Sequence, residues 1–129
     1  MEDNYARARA PPTELLENRA SARLDSGYYL AIPKRIHGGT VRFTFQTSRE
    51  VDAYIMSEEQ HAQFKVSGIP NCEDVEFNVV YGSLALKIKE SNEYYFTLYN
   101  KGTRAANIVT LKIEHIPQKV TILQSILPS

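Results

Sequence analysis

The stretch Glu93–Ile116, EYYFTLYNKGTRAANIVTLKIEHI, decides the reading of the fold. Within Glu93–Asn100, Tyr94, Phe96 and Leu98 share one face of an extended chain, and Tyr95, Thr97 and Tyr99 share the other. Both faces carry rings or a β-branched residue, which predicts a central strand covered on both sides. Asn100-Lys101-Gly102-Thr103 then breaks the alternation, and Asn and Gly tolerate the positive φ of a tight reversal. A return strand is expected from Asn107 to Ile116, with Val109, Leu111 and Ile113 on one side and Thr110, Lys112 and Glu114 on the other. Pro117 lacks an N–H and ends the ladder. The pair reads as a hairpin.

A chain of 129 residues is long enough for one domain with a real core. Its formal net charge is zero, so nothing electrostatic calls for nucleic acid or an anionic membrane. No apolar run approaches the ~20 residues of a membrane span. The first residues, MEDNYARARAPP, lack the apolar core of a signal peptide. Cys72 is the only cysteine, which excludes an intrachain disulfide and fits a cytoplasmic setting.

Working outward, residues 1–12 read as a flexible arm and 13–129 as a single domain. Thr13–Arg23 is expected to be a short helix: Thr13 suits an N-cap, and Leu15, Leu16, Ala20 and Leu24 fall roughly on one stripe. Tyr28–Ile36 reads as a strand that Pro33 restricts to an edge or a bend. His37-Gly38-Gly39 is a turn. Thr40–Thr47 alternates cleanly, with Val41, Phe43 and Phe45 inward. Ser48–Glu50 is expected as a loop and Val51–Met56 as the next strand. Ser57 and Gln60 have capping-box spacing, so a short helix follows to Phe64 or Lys65. Val75–Tyr81 reads as a strand, Gly82-Ser83 as a turn, and Leu84–Lys89 as another strand. Val120–Leu127, VTILQSIL, is a last strand or a docking segment.

No catalytic or metal constellation emerges. His37, His61 and His115 are far apart and lack ligand spacing. Glu73 and Asp74 beside Cys72 disfavour a thiolate. Gly38-Gly39-Thr40 enters a strand rather than a helix, so it is no phosphate loop. Lys87, Lys89, Lys101, Arg104 and Lys112, with Arg42, form either a patch or ordinary solvated strand faces. Tyr29, Tyr54, Tyr95 and Tyr99 lie on the second faces of their strands. They form either an exposed row able to stack on sugars or make a protein interface, or a layer covered by the N-terminal helix or the C-terminal segment.

The order GGTVRFTFQT, VDAYIMS, SEEQHAQF, EYYFTLYN and NIVTLKIEHI resembles the GOLD-like (emp24-type) β-sandwich modules and related jelly-roll or sandwich accessory domains. The resemblance covers about two-thirds of the chain and implies a protein-interaction or lipid-associated adaptor rather than an enzyme. Secretory members carry a signal sequence, a cysteine pair and a membrane span, and this sequence departs from all three. Ser91-Asn92-Glu93 stands where a glycine usually precedes the YYF-type strand.

The sequence therefore predicts an all-β, antiparallel β-sandwich of about seven or eight strands, with an N-terminal helix and a short helix after the third strand. The expected function is that of a non-catalytic interaction or assembly module without cofactors. It would act on a protein partner or on itself through a sandwich surface, a strand edge or the C-terminal segment. The candidate contacts there are Ile122, Leu123, Ile126 and Leu127. The alternative is a carbohydrate-binding sandwich using the row Tyr29, Tyr54, Tyr95 and Tyr99.

Overall fold

A computed structural model describes residues 13–117. They form six strands and one helix: β1 (Glu14–Leu24), β2 (Tyr29–Ile36), β3 (Thr40–Ser57), α1 (Glu58–Ser67), β4 (Asp74–Lys87), β5 (Asn92–Tyr99) and β6 (Ala106–Ile116). All ladders are antiparallel and join into one sheet, ordered β1-β6-β3-β5-β2, with β4 on the other side of β3.

β3 organises the sheet. The expected loop at Ser48–Glu50 is instead part of one 18-residue strand. Its first half, Thr40–Thr47, pairs with β6, and its second half, Asp52–Ser57, pairs with β5. β4 runs along both halves, with its register shifting between Gln46 and Ala53. Such irregularities bend a strand and raise its local twist, and here they curl the sheet around its core. β5 and β6 are therefore not a hairpin. They follow one another along the same side of β3, so the Asn100–Thr103 turn carries the chain from one half of the sheet to the other.

The alternation read from the sequence holds where it concerns burial. Val41, Phe43, Phe45, Phe96, Leu98, Leu111 and Ile113 are fully buried inside the curl, with Val51, Ala53 and Ile55. Phe43 meets Phe96 edge to face at 5.7 Å. β5 is central, between β2 and β3, and both of its faces are covered. Val109 is half-exposed because β6 slips between Ile108 and Thr110 where it faces Thr47 and Gln46, so Ile108 takes the inward place.

Residues 14–24 are a strand, not a helix. The apolar stripe was only approximate, and Asn18 and Ser21 are weak helix formers. Pairing with β6 satisfies the backbone of the segment through a long ladder, from Glu14↔His115 to Leu24↔Ala106. Glu17 and Arg19 then meet two residues apart, at 2.6 Å, as neighbours on one strand face do. The six strands counted among the described residues are fewer than seven or eight. Gly82 also lies inside β4 rather than at a turn: a Cβ there would overlap the Phe45 ring. The expected arm at 1–12 and the segment at 120–127 lie outside the described residues.

α1 has the expected start. The Ser57 hydroxyl accepts from Gln60 N at 3.2 Å, and the Gln60 side chain accepts from Ser57 N at 2.9 Å. Gly68, left-handed at φ 72°, ends the helix and donates its N–H to Phe64 O.

Candidate interaction surface at the β4 corner

The two ends of the curled sheet are closed by side chains. At one end, Lys34 of β2 reaches Glu17 of β1 at 2.9 Å. Arg19 and then Lys34 hold the Glu17 carboxyl below the usual carboxylate range. At the other end β4 turns its halves toward each other. Glu76 accepts from Ser83 N at 3.0 Å, and Asp74 accepts from Ala85 N at 3.2 Å. These carboxylates occupy N–H groups that a foreign strand would otherwise use.

Between those halves is a corner at Phe77–Tyr81. Asn78 takes a left-handed conformation, φ 55°, which Asn tolerates better than most residues. Asp52, 1% exposed, fixes the corner from below. One of its oxygens accepts from Asn78 N at 2.9 Å. The other accepts from the Tyr54 hydroxyl at 3.1 Å and lies 2.7 Å from Lys101 Nζ. Burial, then the Asp52 charge, pushes the Tyr54 hydroxyl pKa up, so it stays a donor. Lys101 Nζ also stands 5.8 Å above the Phe77 ring.

With its backbone fixed, the corner turns apolar side chains outward: Phe77 is 54% exposed, Val80 45% and Tyr81 69%. Val80 also lines a cleft of about 480 Å³ with Ser48, Arg49, Glu50, Thr103 and Arg104. Asn100 shapes the far wall of this cleft. Fully buried, it donates to Leu24 O at 3.0 Å and to Arg104 O at 2.8 Å, and accepts from Gly102 N at 2.9 Å. Aromatic residues and arginine are both enriched at protein interfaces.

The tyrosines singled out from the sequence do converge, but under α1. His61 stacks on Tyr95, Phe64 meets Tyr29 at 5.1 Å and Tyr99 at 6.0 Å, and Tyr54 is 1% exposed. The cover is α1 rather than the N-terminal segment, and only Tyr29 reaches the rim, half-exposed. Ile122, Leu123, Ile126 and Leu127 lie outside the described residues.

The histidines occupy three separate places. His37 bonds Ser91 in a turn at 2.7 Å, His61 sits on the buried face of α1, and His115 bridges Glu14 and Gly38 O. Burial, then Asp74 and Glu73, pushes the Cys72 thiol up. The lysines and arginines do not form one patch. Arg42 pairs with Glu114, while Lys87 and Lys89 line a cleft with Glu59, Glu73 and Glu90.

Phe77, Val80 and Tyr81 were missed because a period-two strand hides such residues among core positions. The signal was Asn78, a residue suited to a bulge inside an apolar run. Among the described residues, no helix is long and apolar enough to cross a membrane. No protein-family model matches the chain, and no curated protein sequence matches it.

Proposed function

We propose that this protein is a non-catalytic interaction module that holds a protein partner at the β4 corner. The observation that carries the reading is the exposure of Phe77, Val80 and Tyr81 within five residues of one fixed bend. Clusters of this kind, desolvated together, supply most of the energy of an interface. The carboxylates on Ser83 N and Ala85 N favour docking of side chains here over addition of a strand. We also read the curl as a sandwich whose two layers share β3 and β4, in keeping with the GOLD-like order of GGTVRFTFQT, VDAYIMS and SEEQHAQF along β3 and α1.

The test is affinity capture from the source cells with the full chain and with the double variant Phe77→Ser/Tyr81→Lys. A partner retained by the first and lost by the second, at equal thermal stability, is the expected result. Equal recovery by both would remove the corner as the contact.

A further inference from the structure

The cleft beside Val80 has a charge character that the apolar corner lacks. Arg49 comes from the irregular stretch of β3 and Arg104 from the β5–β6 loop, and both line the cleft. Among the described residues neither guanidinium forms an ion pair, whereas Lys101 close by is held by Asp52. The Ser48 and Thr103 side chains add hydroxyls, and Glu50 is the one carboxylate in the lining. Two guanidinium groups around a concave space fit a carboxylate, which they can grip with paired N–H donors. Val80, 45% exposed, brings apolar area into the same lining, and Tyr81 follows it directly in β4.

Resting on the reading of the corner as a protein contact, we propose that the partner segment is acidic. It places an Asp or Glu side chain between Arg49 and Arg104 and an adjoining apolar side chain against Val80 and Tyr81. The arginines set register and attraction, and the apolar contact supplies burial.

The probe is a phage-displayed library of random peptides selected on the full chain. Recovered peptides are measured by fluorescence anisotropy against four proteins: wild type, Arg49→Gln/Arg104→Gln, Val80→Lys/Tyr81→Lys and Glu50→Gln. All these positions are exposed and are expected to fold, which melting curves check. The expected peptides carry Asp or Glu beside an apolar residue. Their affinity falls about tenfold or more in the double arginine variant and weakens with salt. Glu50→Gln tightens them, because it removes the repelling carboxylate.

Peptides that lose binding in Val80→Lys/Tyr81→Lys but ignore the arginines would overturn the acidic partner and leave the corner standing. Failure to recover any peptide sensitive to either double variant would overturn both. A single-stranded oligonucleotide that binds through Arg49 and Arg104 more tightly than any acidic peptide would also overturn the proposal.

Discussion

The His61 imidazole lies flat on the Tyr95 ring, 3.9 Å between centroids and 13° from parallel. Together with Phe64, this ring anchors α1, since His61 and Phe64 are its two buried residues. His61 Nε2 is buried and has no hydrogen-bond partner among the described residues. Burial, then Lys65 on the next turn, pushes the His61 pKa down, while Glu93 pulls weakly the other way.

The neutral ring is thus the folded form, and the unfolded chain takes up the proton more readily. Stability is expected to fall as pH drops through the ordinary histidine value, about 6.5. His61→Phe should keep the stack and remove this acid loss. Melting curves between about pH 7.5 and pH 5 check it: the wild type should lose several degrees more than the variant. Equal losses would exclude His61 as the titrating group.

His115 acts with the opposite sign. Burial pushes its pKa down, but the bonds to Glu14 at 2.9 Å and Gly38 O at 2.7 Å outweigh that and raise it. With both ring nitrogens facing acceptors, the doubly protonated form is the one held. Its contribution is fully present below the unfolded value and is lost as pH rises through the folded one. Glu14→Gln should lower the His115 pKa, read from its ring protons by NMR titration, and should leave His61 unmoved. An unchanged His115 would mean that Glu14 exerts no hold in solution.

Asp74 and Glu76 guard an edge. Replacing both with Ala frees the N–H groups of Ser83 and Ala85. The expected outcome is concentration-dependent association seen by light scattering, with a strand signature, because bare edge groups template pairing. A double variant that stays as dispersed as wild type would show that these bonds do not protect the edge.

Asn100→Ala should be costly. It strips hydrogen-bond partners from Leu24 O, Arg104 O and Gly102 N at a fully buried site. A loss of about 2–3 kcal/mol in urea unfolding is expected. Asn100→Asp keeps the acceptor for Gly102 N but loses both donated bonds, so it should not rescue the fold.

These sites also show what the sequence could tell. The capping box at Ser57 and Gln60 is complete within four residues, so α1 was legible. Burial of Phe43, Phe45, Phe96 and Leu98 follows from alternation, which is equally local. Partner choice is not local. β1 becomes a strand only because β6 lies beside it, with Glu14 opposite His115, and nothing near residue 14 records that. The bend of β3, which separates β5 from β6, depends on register along β4 and β6 rather than on a turn residue. The candidate site escaped for the same reason. Phe77 and Tyr81 have core-like identities, and their exposure is set by the register of β4 against β3, where Tyr81 lies opposite the exposed Gln46.

The pairing of β1 with β6 also governs how this chain can be built into others. Among the described strands β1 is synthesised first and its ladder partner β6 last, so closing that pairing waits for nearly all of them and contact order is high. The same pairing sets residues 14 and 115 side by side. A short link from Ile116 back to Glu14, with new ends opened at the exposed stretch Gly68–Ile69, is expected to keep the ladders of the described strands. A sheet whose first and last described strands end side by side can be spliced into a surface loop of a host protein without prying that loop apart.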